Sequence, residues 1–444
     1  MSRIISRYRW RRLLNRGVVW CGIGLCAIGL WMAGLWWYAP IYWGSPTATR
    51  STLAQSLLQQ TALTQPIQAQ VPLAQVETRG VWITANDTGM VSDRTRMQAA
   101  ITQLSRLNFN TVYPVVWNSG YVLYPSTVAR NAGIQPFVRQ GNNGQDILAE
   151  LIETAHREQI AVLPWFEFGF MTPPTSELAL AHPQWLTQRQ DGTQTIQNAA
   201  GEVVWMNPLH PEVQQFITDL VLELVSRYDI DGIQFDDHAS FPVEFGYDSY
   251  TLDLYRSETG QNPPSDPNNS NWKRWRANKL TDYMGRLRQA VKTSKPNVVF
   301  SIAPTTYLTA YNSFLQDWVD WVERGIADEA IVQIYRHDLQ SFNHEVQKPE
   351  MQAARGKIPL GVGILAGLRT KPVSSSSIQN QVQTARASGL GLTFFSYESL
   401  WETTEEPPEA RQALFQSLFG RRRVPRATKQ FDESPVYEYR RATS

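Results

Sequence analysis

From Arg79 to Gly420 short apolar runs alternate with longer stretches whose apolar residues recur every three to four positions. The apolar runs are GVWITA (80–85), NTVYPVVW (110–117), IAVLPWFEF (160–168) and DGIQFD (231–236), followed by NVVFSIAP (297–304), EAIVQIY (329–335), IPLGVGIL (358–365) and LGLTFFSY (390–397). They are near-continuous rather than strictly alternating, as parallel strands covered on both faces require. The stretches between them predict helices over 93–107, 144–158, 211–228, 271–294, 312–323, 375–388 and 407–418. Eight strand-then-helix units within 78–420 predict an α/β fold, a (β/α)8 TIM barrel with enlarged βα loops. A doubly wound open sheet competes, but no glycine-rich phosphate loop follows the first strand. The longest insertions are 169–208, with a hairpin expected in QRQDGTQTIQNAAGEVVW, and 238–271, which ends in NPPSDPNNSN. Both fall on the face where strands end and can wall a cleft.

The pattern changes ahead of this region. Residues 17–38 hold no charge, and twenty-two residues at about 1.5 Å rise match the roughly 30 Å hydrocarbon core. Six arginines and no acid occupy 1–16, so this segment is expected to stay in the cytoplasm while Trp36, Trp37 and Tyr38 sit at the far interface. We therefore expect one N-terminal transmembrane helix at 17–39 acting as a signal anchor, because the run exceeds the apolar core of a cleaved signal peptide. The polar, nearly uncharged segment 40–77 reads as a flexible linker, 78–420 as the barrel and 421–444 as a charged tail. The barrel would then lie outside the cytoplasm, in the periplasm or beyond.

The overall charge of +1 conceals this division. Without the two basic ends, 17–420 carries 28 basic against 37 acidic residues, which excludes a phosphate-binding surface and hence nucleic acid as partner. The only cysteines, Cys21 and Cys26, lie in the apolar run, so the body has no thiolate metal site, disulfide or cysteine nucleophile.

Candidate chemistry gathers where strands end, because inward-facing groups there share one cavity. The second strand ends at Trp117 and Asn118, the third at Trp165 and Glu167, and the fourth at Asp236, Asp237 and His238. The sixth carries Gln333, Tyr335 and Arg336, and the eighth is followed by Glu398. Carboxyls among aromatics and amides are what hydrolysis of a glycosidic bond needs, one to protonate the leaving oxygen and another to attack the sugar or activate water. Glu167 lies one strand from Asp236, and Trp165 and Phe166 beside it can desolvate it and raise its pKa. Which of Asp236 and Asp237 faces inward stays open, since a one-residue slip of the strand end reverses them. Trp82, Trp117, Trp165, Trp205 and Tyr335 are candidate sugar contacts, and each is equally a candidate core residue.

Several motifs resemble one family. They are RGVWIT (79–84), FNTVYPVVWNSGYVLYPS (109–126), LPWFEFGF (163–170) and WMNPLHPEVQQFITDLVLELVSRYDIDGIQFDDH (205–238), followed by SIAP (301–304), VQIYR (332–336) and FFSYESL (394–400). Together they resemble the glycosyl-hydrolase-like 10 family across about 79–418. The resemblance implies a barrel of glycoside-hydrolase ancestry, often exported, acting on polysaccharide such as the glycan of peptidoglycan, with no cofactor. By motif it implies an acidic pair at Asp236 and Asp237 with Glu167 as the acid. The chain departs from the family pattern at His238 and Arg336, where many members carry aromatics.

Two other readings remain. A catalytically silent carbohydrate-binding barrel would keep the aromatics and tolerate loss of the acids. A metal-dependent hydrolase would use Asp236, Asp237 and His238, but three successive residues rarely converge on one ion, and the six histidines show no HxH or HExxH spacing. No metal is therefore expected.

Overall fold

A computed structural model describes residues 77–85, 93–134, 146–198, 201–368, 371–401 and 406–420, all within a compact unit spanning 71–444. The expected basic segment, membrane span, most of the linker and the charged tail lie outside the described residues. Among the described residues no helix is long and apolar enough to cross a membrane.

The main sheet is built of β1 (Arg79–Ile83), β2 (Thr111–Pro114), β3 (Ala161–Val162), β4 (Trp165–Phe166) and β5 (Gly232–Asp236), then β6 (Val299–Ala303), β7 (Glu329–Gln333), β8 (Leu360–Leu365) and β9 (Gly391–Phe395). Every pairing is parallel, in the order β3-β2-β1-β9-β8-β7-β6-β5-β4. The two ends of that order, β3 and β4, are successive pieces of one stretch, parted only by Leu163 and Pro164. The sheet therefore curls round on itself, and a parallel bridge between Val115 and Trp165 continues the pairing with the β2 side. The fold is TIM-barrel-like, with each of the eight expected apolar runs contributing to the sheet.

Side chains sort by the period of two. Val81, Val112, Val162, Ile233, Phe235, Phe300, Ile302, Val332 and Phe394 belong to the large outer core under the helices. Trp82, Tyr113, Leu163, Trp165, Val299, Ala303 and Ile331 form a separate inner cluster. Gly363 in β8 makes room for that inner layer, since a Cβ there would meet the Trp82 ring at 3.0 Å. A buried polar chain crosses the interior: the Trp82 indole donates to Gln234 at 2.7 Å, Gln234 to Ser301 at 3.0 Å, and Ser301 to Glu329 at 2.8 Å. Tyr113 donates to the same Glu329 carboxylate at 3.0 Å.

The covering helices are α1 (Arg94–Arg106), α2 (Ile147–Arg157), α3 (Pro211–Arg227), α4 (Ser270–Ser294), α5 (Trp318–Glu323), α6 (Pro349–Arg355), α7 (Ser375–Ala387) and α8 (Pro408–Phe419). In α3, Pro211 occupies the first turn, where its missing N–H costs nothing. Val213, Phe216, Ile217, Leu220, Val221 and Leu224 then form the buried stripe that the sequence spacing predicts. The helix expected over 312–323 is instead two, Tyr307–Phe314 and α5, because Leu315 turns left-handed at φ 52 and Asp317 caps the second. The expected hairpin pairs Thr195–Asn198 with Gly201–Trp205, and Met171–Thr172 adds a third strand to it.

At the end of the sheet where β5 begins, Asp231 accepts the Val162 N–H at 2.8 Å and pairs with His156 Nε2 of α2 at 2.9 Å. The hydrogen bond that His156 donates to Asp231 is the main cause holding the His156 pKa above its ordinary value, against burial. A histidine raised on folding contributes stability that is complete below its unfolded pKa and lost as pH rises through the folded one. His156→Ala is thus expected to lower stability by at most about 1 kcal/mol at pH 6, with the difference shrinking toward pH 8. Denaturant titrations at the two pH values measure it.

Candidate active site

The registers Gln234↔Trp165 and Phe235↔Phe166 set the next residues on those strands, Asp236 and Glu167, at one level. Parallel neighbours lie about 4.8 Å apart. Gln234 points into the inner layer, so two residues on Asp236 does too, while Asp237 begins the turn. On β4 the inward position after Trp165 is Glu167.

Each acid is held by an amide from another strand end. Asn118 Nδ2 donates to Glu167 Oε2 at 2.6 Å, and Ser119 Oγ donates to Asn118 Oδ1 at 2.6 Å. Gln333 Nε2, at the end of β7, donates to Asp236 Oδ1 and to the Ala303 carbonyl, the latter at 2.7 Å. Asp236 Oδ1 also accepts the Asp237 N–H at 2.8 Å. Beneath the turn, Gln316 Nε2 donates to the carbonyls of Asp236 and Ala239 at 3.1 and 3.2 Å.

Charge and burial tune these groups. Burial pushes Glu167 up to about 7, with the negative charge of Asp237 adding to it and the Asn118 bond and His238 opposing. Asp236 is driven well above the usual carboxylate range, first by burial, then by Asp237 and by Glu167. Tyr335 keeps its phenol proton, pushed up by burial and by the negative charge of Asp236, Asp237 and Glu167. His238 Nδ1 lies 2.9 Å from the Glu167 carbonyl, which can only accept, so that nitrogen carries the proton. The two turns are pressed together: Gly169 sits at φ 48 against the His238 backbone, where a Cβ would lie 2.3 Å from its carbonyl. No side chain larger than hydrogen fits there.

The structure thus brings Glu167, Asp236, Asp237, His238, Asn118 and Tyr335 together. The tryptophans take other places. Trp82, Trp117, Trp165 and Trp205 are all 0–2% exposed, leaving no open ring face for a sugar. Trp82 and Trp165 floor the site, 6.1 Å apart, with Phe395 beside both. Trp117 donates to the Gly169 carbonyl at 2.9 Å and Trp205 to Ser240 at 2.8 Å, so these two prop the turns that carry Glu167 and His238. Arg336 turns away to Glu345 at 3.3 Å, at the edge of a polar cleft of about 510 Å³. Glu398 lies in the first turn of the helix Tyr397–Trp401, an ordinary place for an acid. Gln333 stands in the cavity at the strand end where the sequence places it, though with no role assigned to it there, whereas nothing near Gln316 signals its position.

Three successive residues do converge after all: ligand atoms of Asp236, Asp237 and His238 lie within 4.8 Å of one another. Two carboxylates and an imidazole suit a divalent ion in chemistry. Here, however, Asp236 Oδ1 and His238 Nδ1 are already engaged with protein partners.

Inward carboxyls at the strand ends of a TIM-barrel-like fold stand where such barrels carry their chemistry, and a pair of them is what glycoside hydrolysis uses. The fold is similar to the glycoside hydrolase domain of PgaB (BpsB) from Bordetella bronchiseptica, with TM-score 0.59 and 15% identity over 77% of this chain and 99% of that one. It is also similar to the catalytic domain of β-amylase from Paenibacillus polymyxa, with TM-score 0.54 and 11% identity over 78% and 99%. Residues 77–385 match the sequence model described as Glycosyl hydrolase-like 10, and the chain belongs to that family. Among curated relatives it is 27% identical to glycosyl hydrolase DigH of Escherichia coli over 267 residues, 54% of this chain and 58% of that protein. It is 23% identical to glycosyl hydrolase YngK of Bacillus subtilis over 53% of this chain and 48% of that protein. The matches span about half the length of these relatives. Membership of that family supports a glycosidase-type function.

Proposed function

We propose that the protein is a membrane-anchored, exported glycoside hydrolase that cleaves O-glycosidic bonds of a cell-wall or surface polysaccharide. The observation that carries this reading is the pairing of Glu167, pushed up to about 7, with the inward Asp236 on the neighbouring strand. Because each negative charge raises its neighbour, such carboxyls lose their protons in separate steps. Between the steps one proton is left on the pair, the state glycoside hydrolysis needs. With that proton on Glu167, it protonates the leaving oxygen, and Asp236, its charged form favoured by the two N–H donors on Oδ1 against the burial that raises it, attacks the sugar or activates water. Asp237 keeps both pKa values high, and the Tyr335 hydroxyl donates toward the reacting sugar. Export rests on the arginines before the apolar run at 17–38.

The test is to incubate the protein with peptidoglycan glycan strands and other polysaccharides and identify released fragments by mass spectrometry. Wild type is expected to release oligosaccharides, and Asp236→Asn to release about a hundredfold less or lower still. Equal turnover by Asp236→Asn sinks the assignment. Activity is expected to survive a chelator; loss that added divalent metal restores would move Asp236, Asp237 and His238 into metal binding. Binding of glycan without turnover in wild type would favour the silent barrel.

A further inference from the structure

We propose that Gln333 is the positioning residue for Asp236, holding its carboxyl in the orientation and charge state that the reaction uses; this rests on the hydrolase reading above. Asp236 is 4% exposed and stands on the inner face of the sheet, where an unpartnered carboxylate is costly. The Gln333 amide is built to prevent that. Its Nε2 has two acceptors, Asp236 Oδ1 and the Ala303 carbonyl, one on each strand it must span. Its backbone is tied as well, with its N–H donating to the Pro304 carbonyl at 2.8 Å and a parallel bridge to Thr305. With two bonds on its amide and its backbone tied, the side chain is held in place when a substrate arrives. Asp236 Oδ1 is thereby engaged by Gln333 and the Asp237 N–H, which leaves Oδ2, 3.8 Å from His238 Nδ1, as the oxygen to face the reacting carbon.

Donors to a carboxylate favour its charged form, so their removal raises the pKa. Gln333→Met keeps the shape and removes the donor. Gln333→Glu keeps the shape and sets a like charge against Asp236. Both are expected to move the acidic limb of the pH–kcat profile to higher pH, Gln333→Glu further, and to lower kcat by about ten- to a hundredfold with KM little changed. Selective ¹³C labelling of aspartate carboxyls in the full chain, with Asp236→Asn to assign the resonance, reads the same upward titration shift with no substrate present. An Asp236 titration that is identical in wild type, Gln333→Met and Gln333→Glu overturns the proposal. If Asp236→Asn abolishes turnover while the Gln333 variants leave the profile unmoved, only this inference fails. If Asp236→Asn keeps full turnover but the carbon titration shifts in Gln333→Met, the catalytic role of Asp236 fails and the positioning contact stands.

Discussion

Glu167→Gln is expected to lower kcat on a polysaccharide substrate by about a hundred- to ten-thousandfold while leaving the fold intact. The amide is isosteric and can keep the 2.6 Å contact with Asn118, by presenting its oxygen to the Asn118 Nδ2. It cannot deliver a proton. The wild-type profile should fall on its basic side with a midpoint near the Glu167 pKa of about 7. Above that pH the acid is ionised and has no proton to give. In Glu167→Gln this limb should vanish, because no other group replaces the donor. Substrates with a strongly acidic leaving group, which depart without protonation, should regain much of the lost rate. A basic limb unchanged in the variant would assign the proton to another residue.

The second large effect concerns stability. Arg276, 0% exposed in α4, has no described carboxylate partner. Its guanidinium donates to the carbonyls of Val243 at 2.6 Å, Pro267 at 2.7 Å, Trp272 at 3.4 Å and also Phe245. It lies over the Trp272 ring at 4.5 Å. Burial presses its pKa down to about 9, still leaving it charged at neutral pH. One side chain thus gathers both ends of the insertion 238–271, which begins at His238. Arg276→Met fills similar volume but strands the carbonyls. At about 1–3 kcal/mol for each buried group left unpaired, the loss should reach about 3–5 kcal/mol, measured by denaturant unfolding. Activity should fall at temperatures where the chain remains folded, since the turn of Asp237 and His238 loses its support. A change below about 1 kcal/mol would show that water replaces the guanidinium and that the insertion is held elsewhere.

Much of the fold is legible along the chain because its strands are buried on both faces and its helices on one. β5 falls inside DGIQFD and α3 within one residue of the expected 211–228. The misses are local events without periodicity. The helix expected at 312–323 breaks at Leu315, where a non-glycine residue turns left-handed, and no composition signal marks such a position. The four tryptophans were legible as aromatic, and sequence alone did not choose for them between core and sugar contact. Trp117 and Trp205 lie near strand ends, as sugar platforms would, yet pack behind the sheet with their N–H groups on loop carbonyls.

For the acids of 236–238 the division is clear. Local sequence determined that two carboxyls and an imidazole follow a buried strand, since Asp231-Gly232 ends one element and Ile233 and Phe235 begin the next. It also placed Glu167 one strand away. It could not choose between Asp236 and Asp237, because alternation fixes sides only relative to a strand end. That end is set by hydrogen bonds to chain far away, in the pairs Gln234↔Ser301 and Asp236↔Ala303. The same long-range pairing brings Gln333 to Asp236 across 97 positions, a contact no local pattern encodes. The ingredients of the site are therefore local, while their orientation and their proton affinities belong to the curled sheet.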